Sequence, residues 1–207
     1  MSETTTRNSG LPGRPRNPAI DETILTIALE LFLEQGADGV NFEQLSKRTG
    51  ISRATIYRRW KTRGELLNAA LQLARTSAVR DPEAVMRMAP EEFLLFLEDT
   101  IVGGLMSPVL PKLLAQLIGA LASHPQLLAA YCRRTIEPGW QTLRQAIEKA
   151  RRAGIIQASH DQEVLRDLLT GAILHRLISR KGRPREATER VWVKRLMRQI
   201  GLVGRPH

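Results

Sequence analysis

Between Asn41 and Arg63 the chain concentrates side chains that suit a polyanion. Seven basic residues (Lys47, Arg48, Arg53, Arg58, Arg59, Lys61 and Arg63) stand there against one acid, Glu43. Among them lie Ser52, Ala54, Thr55 and Tyr57. An arginine at the start of a helix can donate two hydrogen bonds to guanine O6 and N7, and threonine or alanine methyls can meet the methyl of thymine. Ser52, Tyr57 and the amides at helix starts capped by Asn41 and Thr62 suit phosphate oxygens, which orient a helix without specifying sequence. Arg63 carries the charge to reach a neighbouring phosphate.

Such residues read a groove only if a rigid unit presents them. Two helices crossing closely need a small residue on the first, a turn residue tolerant of left-handed geometry, and an apolar anchor on the second. Ser46, Gly50 and Ile56 meet these needs in order, with Leu45 and Ile51 completing a small core. Trp60 is read as an aromatic that locks this unit to the next helix, in preference to base stacking.

The surrounding composition supports a helical carrier. Of 207 residues 43% are apolar, 25% charged and only 4% aromatic, with a net charge of +10. Helical punctuation recurs. It includes Asn17-Pro18, the Asn41/Gln44 and Thr62/Glu65 capping boxes, Asp81-Pro82, Pro90-Glu91-Glu92, Ser107-Pro108, and an expected break at Pro138-Gly139. Gly36 is expected to stop the first helix. No segment holds the strand period, so the sequence predicts an all-α chain of about nine helices. A second basic cluster, from Arg180 to Arg205, holds nine basic residues against Glu186 and Glu189, while the stretch 81–160 is neutral. The polar N-terminus lacks an apolar leader and no apolar run reaches membrane-spanning length, which reads as a soluble cytoplasmic protein with no membrane partner. There is no glycine-rich phosphate loop, no G-x-S-x-G and no acid or histidine pair at metal spacing. Neither enzyme activity, a metal nor a cofactor is expected. Cys132, the single cysteine, excludes an internal disulfide framework.

The run from Ile24 to Leu71 resembles the N-terminal domain of TetR-type transcriptional regulators. The likeness rests on the Leu-Phe-x-x-x-Gly end of the first helix, the Phe42/Leu45 helix, and Thr55-Ile56-Tyr57-Arg58-Arg59-Trp60. The resemblance implies a three-helix helix-turn-helix domain, a linking helix, and a larger helical domain for effector binding and dimerisation. The corresponding divisions are a basic arm at 1–17, a DNA-binding domain at 18–61, a linking helix at 62–80 and the remainder at 81–207. Family DNA contacts carry over to Asn41, Ser52, Thr55, Tyr57, Arg58 and Arg63. Phe42, Arg53 and Ala54 join the expected interface with double-stranded DNA. The family usually has lysine followed by an acid where this chain has Arg63 and Gly64.

Ahead of the domain, Arg14 and Arg16 lie in a Gly-Arg-Pro-Arg segment that reads as a solubilising tail or as an arm suited to a narrow minor groove. In the neutral middle, Met86, Met88, Phe93, Phe96, Met106, Tyr131 and Trp140 are candidates to line a cavity for a small apolar or weakly charged effector, or to pack a core. Leu165, Leu168, Leu169, Ala172, Trp192, Leu196 and Ile200 form stripes that close the monomer core or, as the resemblance implies, a homodimer interface. The expected function is a sequence-specific regulator, a repressor of a palindromic operator released by a small molecule. Two readings share the same residues: an activator on the same fold, and a protein that binds polyanions or membrane surfaces without reading sequence.

Overall fold

A computed structural model describes residues 18–73, 81–156, 161–180 and 182–202. Arg14 and Arg16 lie outside the described residues. Eleven α-helices and one π-helical segment, with no strand, make up the described chain. The first four are α1 (Pro18–Gly39), α2 (Phe42–Thr49), α3 (Arg53–Arg59) and α4 (Arg63–Leu73). Local chemistry sets their ends. Asn41 Oδ1 accepts from the Gln44 amide at 2.9 Å, Ser52 Oγ from the Thr55 amide at 3.3 Å, and Thr62 Oγ1 from the Glu65 amide at 3.1 Å. Each satisfies a helix-start donor that has no partner within its own helix. Gly50 closes α2 at φ 71°, a conformation that side chains with a Cβ adopt at a cost.

Gly36 does interrupt α1, at φ 74° and ψ −170°, and one further turn runs on to Gly39. A Cβ at Gly36 would lie 3.0 Å from Gln116 Oε1. The Gln116 amide in turn donates to the Leu33 carbonyl at 3.3 Å, near the end of α1.

The remaining helices are α5 (Pro82–Arg87), α6 (Pro90–Met106), α7 (Leu110–Gly119), α8 (Pro125–Tyr131), α9 (Glu137–Arg152), α10 (Gln162–Ser179) and α11 (Glu186–Gln199). The π segment Cys132–Ile136 joins α8 to α9. Pro138 accounts for it, because its ring displaces the carbonyl four residues back and it has no N–H to donate. The break expected at Pro138-Gly139 therefore falls one turn earlier. That split, together with α5, takes the helix count above the nine expected. α5 is too short to hold alone. Lys149 of α9 secures it by donating to the Met86 and Met88 carbonyls at 3.1 and 2.8 Å, at the end of α5 where a cation is favoured.

Two hydrophobic cores organise the chain. One gathers Ile24, Leu31, Phe32, Leu45, Ile56, Leu66 and Leu71 with Leu113 and Leu117 of α7 and Leu127 and Tyr131 of α8. The other joins Phe93, Leu97, Leu105, Ile147, Leu165, Val193 and Met197. α7 and α8 are thus packed on the three-helix unit, although they follow the expected boundary at residue 81. Trp60 packs against the first core, as its reading as a lock requires. No single described helix is long and apolar enough to cross a membrane.

Candidate nucleic-acid interface and adjoining cavity

α3 turns Ile56 into the core and leaves Ser52, Arg53, Ala54, Tyr57 and Arg58 exposed. Tyr57 is held by stacking on Phe42, with ring centroids 4.1 Å apart and planes inclined by 20°. Phe42 is half-buried and so serves as the platform for Tyr57. Asn41 is half-buried with its side chain engaged as the α2 cap. Thr55, half-buried, pairs its hydroxyl with Ser52 Oγ at 2.9 Å and accepts from Arg58 at 3.2 Å. The arginines of this region divide by task. Arg59 is drawn inward to an ion pair with Asp21 of α1, and Arg48 meets Glu34 of α1 at 2.8 Å. Both brace the reading helix pair against α1. Arg53 and Arg58 remain on the open face.

Arg63 has a different setting. Its guanidinium lies 3.2 Å from Asp38 Oδ1 and 3.5 Å from His124 Nε2, and His124 meets the same Asp38 oxygen at 3.0 Å. The hydrogen bond from His124, with its charge and that of Arg63, holds the Asp38 carboxyl below the usual aspartate range. Asp38 ends α1, Arg63 begins α4 and His124 precedes α8, so the expected phosphate contact is tied to the part of the chain that carries the cavity. Asp38 and His124 were silent in the sequence, because nothing local marks a contact spanning 86 positions.

Two adjoining spaces lie among α6, the π segment, α9 and α10. The one set against the second core, here the inner, has a volume of about 190 Å³ and is walled mainly by Leu97, Ile101, Trp140, Leu143 and Leu169. The outer, about 540 Å³, reaches Leu114 of α7, Tyr131 and Cys132. Leu110, Ile136, Arg166, Thr170 and Ile173 border both. Of the seven residues considered for a cavity, Trp140 and Tyr131 line it. Phe93 is core, Met88, Phe96 and Met106 pack against that core, and Met86 borders open grooves beside α5 and α9. Desolvation pushes the Cys132 thiol up from its ordinary pKa, although the residue is exposed.

The stripes on α10 and α11 divide between the monomer core and the surface. Leu165, Leu169 and Ile200 are buried in the monomer core, and Trp192 and Leu196 pack partly buried against it. Trp192 also lies beneath Arg176, 5.3 Å from its ring centre. Ala172 is half-buried and Leu168 is exposed. The apolar side chains left open are Val164, Leu168 and Ile178 on α10 and Val191 on α11, with Ile178 71% exposed. The outward stripe thus runs one position away from the inward one, since two apolar faces on one helix differ only in which the fold buries.

A helix-turn-helix unit joined to a helical body around a cavity is the architecture of one class of bacterial transcription factors. Residues 24–70 match the family model for bacterial regulatory proteins of the tetR family, and residues 94–196 match that for the tetracyclin repressor-like C-terminal domain. The chain belongs to the TetR family and is a DNA-binding transcriptional regulator. It is 27% identical over 174 residues to the uncharacterized HTH-type transcriptional regulator YdeS of Bacillus subtilis, covering 80% of this chain and 82% of that one. It is 26% identical over 168 residues to the DNA-binding transcriptional repressor TetR of Mycobacteroides abscessus, covering 74% and 80%. In structure it resembles a transcriptional regulator of Saccharomonospora viridis crystallised in complex with choline, at a TM-score of 0.68, 20% identity, and coverage of 91% and 100%.

Proposed function

We propose that the protein represses transcription as a homodimer on a palindromic operator and is released when a small molecule enters the cavity beside α6 and α10. The observation that carries this reading is the open face of α3, where Ser52, Arg53, Ala54, Tyr57 and Arg58 project from a helix braced on α1. Arg53 and Ala54 read base edges, and Ser52, Tyr57 and Arg58 meet phosphates. A dimer sets two such helices on major-groove faces about one duplex turn apart, roughly 34–36 Å or a multiple of it, and so doubles the sequence read.

α7 supplies the coupling. Leu110 and Leu114 border the cavity, while Leu113, Leu117 and Gln116 pack on the DNA-binding unit. Tyr131 of α8 belongs to both the outer space and the first core. A ligand that favours a shifted α7–α8 pair therefore moves α1 and loosens the Arg63–Asp38–His124 contact, which changes the spacing of the reading helices. The complex of the S. viridis relative with choline supports a small-molecule trigger in this fold.

Competition tests the DNA half. Binding to a selected operator should survive a 10³-fold or greater excess of random duplex. Loss of binding at that excess would leave only a polyanion-binding protein. Arg63→Ala should weaken all duplexes alike and lower the slope of log affinity against log salt by about one, measured by fluorescence anisotropy. An unchanged slope removes Arg63 from the phosphate contacts. For the dimer, Leu168→Glu places a charge on the open stripe of α10. It should give a monomer by light scattering at micromolar protein and weaken operator binding by roughly tenfold or more. A Leu168→Glu protein that stays dimeric moves the interface elsewhere.

A further inference from the structure

Thr135 is 3% exposed, lines the inner space, and its hydroxyl has no hydrogen-bond partner. Two other helical threonines of this body return their hydroxyls to the carbonyl four residues back, Thr142 to Pro138 at 3.4 Å and Thr170 to Arg166 at 2.7 Å. Thr135, in the π turn, makes no such bond. A buried hydroxyl left unpaired destabilises the fold, and π turns recur at functional sites.

The charges around the space are compensated. Arg166 borders both compartments, and it lies 3.5 Å from Glu137 on one side and 3.5 Å from Asp167 on the other. A ligand carboxylate would face Glu137, which lines the outer space, and a ligand ammonium would face Arg166. Either ion meets a like charge on partial desolvation. The rest of the inner wall is mainly hydrocarbon, with the hydroxyls of Thr100 and Thr170 as its other polar groups. An apolar cavity of 150 Å³ holds benzene, so about 190 Å³ accepts a ring or short chain whose remainder extends into the adjoining space.

We propose that the ligand is a neutral, mainly hydrocarbon molecule with one hydrogen-bonding head, a hydroxyl or carbonyl, paired to Thr135. This rests on the reading of the cavity as the effector site.

Three probes of equal chain length separate the classes: n-octanol, octanoate and octylammonium, each added to the full chain. Two readouts apply, the melting temperature and the alkylation rate of Cys132, the chain's single thiol and a wall residue of the outer space. Octanol should stabilise the protein and slow alkylation at concentrations roughly tenfold below those of either ion. Thr135→Val, which removes the orphaned hydroxyl and keeps its shape, should raise the ligand-free melting temperature by about 2–4 °C and weaken octanol roughly fivefold. Tighter binding of octanoate or octylammonium, or unchanged octanol affinity in Thr135→Val, overturns the ligand class and leaves the cavity reading intact. If none of the three slows alkylation or shifts melting, the effector-site reading itself fails.

Discussion

Arg53→Ala should cost ~1–3 kcal/mol of operator affinity and abolish preference at a single base pair of each half-site. Arg53 is the first residue of α3, directly after the Ser52 cap, and its side chain is exposed. Among the described residues it forms no hydrogen bond or ion pair, whereas Arg58 is engaged with Thr55 and Arg59 with Asp21. A free guanidinium at the leading end of an exposed helix reaches deepest into a major groove and can present its two-pronged donor set to guanine. Arg53→Lys separates discrimination from charge, because lysine keeps the cation and loses the fork. That variant should relax the preference while leaving the salt dependence nearly unchanged. Binding across single-base variants of the operator provides the check. A uniform loss for all variants would assign Arg53 to phosphate.

Glu189→Ala should destabilise the fold by about 3 kcal/mol, a fall of roughly 6–12 °C in melting temperature for a chain of this size. The Glu189 side chain is only 2% exposed on α11. It accepts from Arg176 of α10 at 2.9 Å and lies 3.8 Å from Arg180. Arg180 also donates to the Leu105 carbonyl at 2.8 Å, one of the unpaired acceptors at the end of α6. One carboxylate therefore holds two guanidinium groups that join α6, α10 and α11, and its loss leaves both without a counter-charge in a largely dry setting. Pairing Glu189→Leu with Arg176→Leu should recover part of the loss, since replacing both partners removes the uncompensated charge. A melting temperature within 1 °C of the parent in Glu189→Ala would show that solvent reaches Arg176 and Arg180 well enough to replace the carboxylate.

Local chemistry made much of this fold legible in the sequence. Asn41, Ser52, Thr62 and Asp81 mark helix starts through bonds three residues away, and Gly36 and Gly50 mark ends through conformations that glycine adopts freely. The exposed set on α3 followed from Ile56 alone, since one inward anchor on a short helix fixes which neighbours face out. Long-range choices were not legible. α10 carries Val164 and Leu168 one position from Leu165 and Leu169, and either pair satisfies the helical period. Only packing against α6 and α11 selects the second pair for the core. The sequence places a break at Pro138-Gly139, whereas the π turn lies at Cys132–Ile136, and with it comes the orphaned Thr135. The ties of Arg63 to Asp38 and His124 join three elements distant in sequence, so no local pattern could announce them.

Selection of bound duplexes from a random library by the 207-residue chain tests base reading by α3 most directly. The recovered sequences should share an inverted repeat with fixed half-site spacing, and the same selection with Arg53→Ala should lose one guanine-bearing position from each half. Recovery of sequences indistinguishable from the input, at a salt concentration where the protein still binds DNA, would show that the helix after Ser52 grips phosphates and reads no bases.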